Sequence, residues 1–144
     1  MNANASLWIE ALRKGEYKQT SHRLRQNRKF FWRAPSFCAM GVLYDLYLKS
    51  KGEKWPEKPP YGPLPDAVLA WAGISRELEC DVIGYNDIGM GFRDLASVIE
   101  AHLYRAERDR RWKEAGVIVS RFVERAKTAA SADSSAAAGS KSAA

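Results

Sequence analysis

The sequence predicts an α+β fold, with four or five helices around a small antiparallel sheet or hairpin and a disordered C-terminal tail. Three observations carry this. Apolar residues recur at helical spacing in several separate stretches. A weak alternation over residues 17–25 and a short apolar run over 80–85 have the shape of strands. The last 17 residues (TAASADSSAAAGSKSAA) carry no large apolar side chain, so burial cannot offset their ordering entropy. A chain of 144 residues, 46% apolar, divides naturally into one globular domain over 1–127 and a tail over 128–144.

Asn2 or Asn4 caps a first helix in which Leu7, Trp8, Ala11 and Leu12 form one apolar stripe, and Gly15 stops it. Residues 17–25 are read as a strand, paired with 30–33 through a turn at Gln26 and Asn27. Ser36 is the expected cap of a second helix whose buried face is Phe37, Cys38, Val42, Leu43, Leu46 and Tyr47. Gly41 inside it costs about 1 kcal/mol against alanine, which marks close packing against another element.

Residues 51–65 (KGEKWPEKPPYGPLP) form a Pro-rich loop, expected to be pinned by Trp55 and Tyr61. A third helix starts at Pro65 and Asp66, runs through Trp71 and ends at Gly73. Residues 80–85 (CDVIGY) are the best strand candidate, followed by a Gly-rich turn over 86–91. A fourth helix begins at Phe92 on Leu95, Ala96, Ile99, Leu103 and Ala106. The pattern resumes at Trp112, Ala115, Val119, Phe122, Val123 and Ala126, as a fifth helix or an extension of the fourth bent near Arg110.

The charge is concentrated. Residues 13–33 (RKGEYKQTSHRLRQNRKFFWR) hold eight cations and one acid, a local +7, while the whole chain is +6. Tyr17, Phe30, Phe31 and Trp32 are interleaved with them. Cations bind phosphates and aromatic faces stack on bases, so the segment points to a phosphate-bearing ligand, either a nucleotide or nucleic acid. Arg23, Arg25, Arg28, Lys29 and Arg33 are the candidate anion ligands, with Phe31 or Trp32 to stack. The competing reading is a solvated basic face whose rings all point into the core. Nucleic acid touching all eight cations gives a log-affinity slope on log-salt of roughly −7; a small nucleotide gives a far shallower one.

Other candidates are weaker. The turn GYNDIGMG (84–91) offers backbone N–H groups to a phosphate, with Asn86 and Asp87 as secondary ligand candidates, but its glycines do not follow GxGxxG and Asp87 is acidic. Cys38 lies near a helix N-terminus, where a thiolate is favoured, yet neither His22 nor His102 stands in a recognisable base position. Asp87 or Asp94 in a small hydrolase has no supporting spacing. Two cysteines, Cys38 and Cys80, suit neither a disulfide framework nor a zinc site, so no metal or cofactor is expected. No apolar run reaches the roughly 18 residues of a membrane span, and nothing resembles a signal peptide, so a cytoplasmic protein is expected. Residues 38–104 are net −4 and can attract the basic segment within one molecule or in a second copy.

Four blocks carry a resemblance. They are Trp8, Leu12, Arg13, Gly15, Tyr17 and Gln19; then Phe37, Cys38, Gly41, Val42, Leu43, Asp45 and Leu46; then Leu64, Pro65, Val68, Trp71, Ala72 and Gly73; then Asn86, Asp87, Gly89, Phe92, Leu95, Ala96, Ile99 and Glu100. In order and spacing they resemble small bacteriophage and prophage proteins without an assigned biochemical activity. The likeness spans about residues 7–101. That family often carries a cysteine pair at the start of the second helix and another cysteine six residues on. Here the places hold Cys38, Ala39 and Tyr44, which weakens any redox or metal role implied by the resemblance. The resemblance implies a phage accessory protein in the bacterial cytoplasm, generally non-enzymatic, that blocks a host defence or regulatory protein or sequesters a nucleotide signal. The combined expectation is a non-enzymatic anion-binding protein. Its alternatives are a protein–protein inhibitor docking on an acidic host protein, and a nucleic-acid-binding accessory protein.

Overall fold

Asn2 opens α1 (Ala3–Lys14) by accepting the Asn4 amide on its side-chain oxygen at 2.8 Å, and Gly15 closes it. The structure, a computed structural model, describes residues 1–27 and 33–141. Two-residue strands follow: β1 (Lys18–Gln19), β2 (Arg25–Gln26) and β3 (Ser36–Phe37). Then come α2 (Ala39–Lys51), α3 (Asp66–Ala72), α4 (Arg76–Asp87) and α5 (Phe92–Lys141). The α+β class holds, with five helices and one three-stranded sheet among the described residues.

The sheet differs from the expected antiparallel ribbon. Its order is β1-β3-β2, with β3 parallel to β1 and antiparallel to β2. Arg25 and Gln26, next to or within the expected turn, form β2 and pair with Phe37 and Ser36. The partner strand expected at 30–33 lies, except for Arg33, outside the described residues. Ser36 is therefore a strand residue, and the cap of α2 is Cys38, whose Sγ accepts the Gly41 amide at 3.3 Å. Both shifts have one cause: the chain is extended through Phe37, so the helix starts two residues later than periodicity alone suggests.

The expected strand at 80–85 is helical. Ser75 accepts the Leu78 amide, Glu77 and Glu79 favour the positive end of the helix dipole, and Leu78, Glu79, Val82 and Asn86 share one buried face. Leu78, Val82 and Asn86 lie at i, i+4 and i+8, which is helical spacing that overrides the short apolar run.

Met1–Arg105 is one compact unit, and residues from Ala106 onward form a second. The core of the first gathers all five helices and β3. Trp8 is fully buried and donates its indole N–H to the Ala39 carbonyl at 2.9 Å, joining α1 to the start of α2. α3 begins at Pro65 and ends at Gly73, as the sequence predicts. α5 contributes Phe92, Leu95, Ala96 and Ile99 to this core. In the second unit α5 continues through Lys141 as a single helix, so residues 128–141 are helical where the sequence predicts a disordered tail, and none of its residues described to position 139 is buried. Among the described residues no helix is long and apolar enough to cross a membrane.

Candidate functional site

A groove of about 670 Å³ opens over the start of α2. Residues 22–25 form one wall and the Pro-rich loop at 59–63 the other. Cys38, Ala39 and Met40, with Cys80, Val82 and Ile83 of α4, supply a largely apolar floor.

The first wall is held by buried polar bonds. Asn86, 1% exposed, accepts from Gln19 Nε2 at 3.1 Å and the Ala39 amide at 3.2 Å, and donates to the Thr20 carbonyl at 2.9 Å. Asp87 accepts the His22 amide at 2.8 Å and lies 3.1 Å from His22 Nδ1, fixing a residue with φ of 61°. The Leu24 carbonyl accepts the Cys38 amide. A Cβ on Gly41 would stand 1.7 Å from that same carbonyl oxygen, so the close packing expected at Gly41 is present. Asn86 and Asp87, the secondary ligand candidates, line the groove, but their polar atoms already hold this wall.

Glu79 anchors the second wall. It is fully buried, accepts the Leu64 amide at 2.6 Å and pairs with Arg76. Arg76 also donates to the Leu64 carbonyl at 2.8 Å and pairs with Asp66. Tyr61, expected to pin this loop, is instead 94% exposed at the lip of the groove. Trp55 does pin the loop's earlier part, donating its indole N–H to Asp45 at 2.7 Å.

Arg23 and Arg25 line the groove, and among the described residues no carboxylate pairs with either. The Arg25 guanidinium lies 5.3 Å from the Trp55 ring centroid and 5.9 Å from that of Phe37. Its Nε is buried and has no hydrogen-bond partner among the described residues. Arg33 is exposed and lies outside the groove lining; Arg28, Lys29, Phe31 and Trp32 fall outside the described residues. Two other cations of the basic run are compensated: Arg13 by Glu100 and Lys14 by Glu10.

Arg25 also borders a second cavity of about 360 Å³, with Tyr17, Asp45, Lys49 and Trp55. Asp45 is 7% exposed and accepts from Tyr17, Trp55 and Lys49, each at 2.7 Å. Burial pushes its carboxyl pKa up, but the bonds from Lys49, Trp55 and Tyr17 outweigh that and hold it below the usual carboxylate value. Burial and the Asp45 bond raise Tyr17, and the Asp45 bond raises Lys49. Sequence reasoning missed Gln19, Asp45 and Glu79: Lys49 and Arg76 lie one helical turn from Asp45 and Glu79, but Tyr17, Trp55 and the Leu64 amide are brought to these carboxylates by the fold. Gln19 Oε1 accepts the Phe92 amide, 73 residues away.

Burial also pushes the Cys38 thiol up, against the backbone N–H groups of Gly41 and Met40. A helix N-terminus here does not make a ready thiolate. Among the described residues no cluster of His, Cys, Asp and Glu is placed to hold a metal ion.

A family model described as a domain of unknown function, DUF8296, matches residues 1–103. The chain belongs to the DUF8296 family. The matched DUF8296 region contains the whole groove and ends two residues short of the boundary of the first compact unit. No curated protein and no solved structure matches the chain.

Proposed function

We propose that this chain is a non-enzymatic binding protein that holds a nucleotide-like anion in the groove above α2. One observation carries the reading. Arg23 and Arg25 have no acidic partner among the described residues, whereas both acids lining the groove are engaged, Asp87 by His22 and Glu79 by Arg76. The groove therefore keeps uncompensated positive charge beside an apolar floor. Its volume lies within the roughly 300–1,000 Å³ of small-molecule sites. The arginines take the phosphate, the apolar floor takes the rest of the ligand, and Tyr61 at the lip is free to stack on a base. Arg28, Lys29, Phe31 and Trp32 extend the same basic-aromatic segment in sequence.

The resemblance to small phage proteins supports a setting in the bacterial cytoplasm. In it a nucleotide signal, or an acidic host protein, is sequestered. The raised Cys38 thiol supports binding over nucleophilic chemistry.

The test is thermal shift of the full chain against a panel of mono-, di- and cyclic dinucleotides. A binder present at 100 times its Kd stabilises by about 2.7 kcal/mol. Arg23→Glu with Arg25→Glu should abolish the shift and leave the unliganded transition in place. A shift that survives the double variant places the ligand elsewhere. No shift, with capture of an acidic protein that depends on the same arginines, favours the inhibitor reading.

A further inference from the structure

Beyond Arg105 every residue of α5 described to position 139 is exposed except Glu107, yet the helix carries an apolar stripe. Trp112 is 81% exposed, Phe122 71%, Ile118 67% and Val119 60%. We propose that residues 112–129 pair with the same segment of a second copy of this chain.

The spacing selects a helical partner. Trp112, Ala115, Val119, Phe122, Ala126 and Ala129 are separated by three and four residues in strict alternation. That period of 3.5 is the seam of a left-handed two-helix contact; a helix lying on an irregular surface follows 3.6. No charged residue interrupts the seam, and Ile118 and Val123 widen it on its two sides.

The area is sufficient. An aromatic ring buries about 150–250 Å², so Trp112 and Phe122 at their observed exposures offer about 300 Å² per copy. With Ile118, Val119 and Val123 the patch reaches the roughly 500 Å² per partner that a specific interface needs.

Self-complementarity selects a second copy. The seam is bulky at one end and small at the other. Laid antiparallel, Trp112 of each copy meets Ala129 of the other, and Val119 meets Phe122, so one patch closes on itself about a two-fold axis. The DUF8296 match ends at residue 103, so the stripe lies outside the matched region. Most helical stability in proteins comes from packing of an amphipathic face, and pairing supplies that packing here.

Sedimentation equilibrium of the full chain from about 1 to about 200 μM tests this, since self-association is concentration-dependent. The expected mass rises towards twice the 16.2 kDa of one chain, with helical circular dichroism rising in step. Val119→Asp with Phe122→Asp should return the monomer with the thermal transition of residues 1–105 unchanged. Phe122→Ala, which preserves helix propensity, should weaken association at least tenfold. A 16.2 kDa species at every concentration overturns the proposal. So does an assembly indifferent to both variants, or a monomer that instead binds anionic vesicles through this face.

Discussion

Over residues 92–99, α5 buries Phe92, Leu95, Ala96 and Ile99 at 8% exposure or less, whereas over 112–122 Trp112, Val119 and Phe122 are 60–81% exposed. Both stretches carry the same three-and-four apolar spacing. Helical spacing therefore names the apolar face of a helix and not whether its own unit covers that face. The first stretch is covered by the core of its own unit; the second has no such cover among the described residues.

The largest expected effect breaks or confirms that contrast directly. Leu95→Ala removes a fully buried side chain and should cost about 2–5 kcal/mol. Phe122→Ala, measured where the chain is monomeric, should move the denaturation midpoint of the first unit by no more than about 0.5 kcal/mol. Equal losses in urea unfolding would mean that the two stretches share one packed core.

Two glycines sharpen it. Gly41→Ala places a methyl 1.7 Å from the Leu24 carbonyl oxygen, and backbone must move to admit it. The expected cost is about 1–3 kcal/mol, together with a displaced 22–25 wall and weaker ligand binding. Gly116→Ala meets nothing within 4 Å and should raise helicity, a gain of about 1 kcal/mol at most. Thermal melts of the two variants should shift in opposite directions.

The next effect belongs to the buried carboxylate alone. Asp45 titrates lower in the fold than in the unfolded chain, so its stabilisation is complete above about pH 4 and is lost as pH falls through the depressed folded value. Tyr17 and Lys49 titrate higher in the fold, so their contribution is complete below about pH 10 and is lost as pH rises through their raised values. Asp45→Asn should flatten the acid arm of a midpoint-against-pH curve.

How far the sequence carried depends on how local each signal is. The boundaries of α1 and α3 were legible because Asn2, Gly15, Pro65 and Gly73 act on the adjacent turn. The tight contact at Gly41 was legible because glycine inside a helix demands a reason. The strand β3 was not, since two residues carry no period and its identity depends on pairing with Lys18 and Arg25 on either side. The helix α4 was misread from CDVIGY, although Ser75 and the acids at 77 and 79 mark its start. Of the candidate site, Arg23 and Arg25 follow from charge, and the Arg76–Glu79 pair follows from its spacing of three once α4 is read as a helix, but the engagement of Asp87 by His22, 65 residues away, does not, because the fold brings that partner in.

The smallest expected effect separates the two parts of the exposed helix. Residues 130–139 hold only Ala, Ser, Gly and Asp, and all are exposed. Without large side chains they gain nothing from pairing, so their helix should open with a free energy near zero. Amide hydrogen exchange should therefore be immediate after Ala129 at any concentration. Between Trp112 and Ala126, protection should rise as concentration rises, because pairing there buries Trp112, Val119 and Phe122 and opening must first undo it. Protection beyond Ala129 equal to that at Phe122 would show that the Ala-rich segment has a partner of its own.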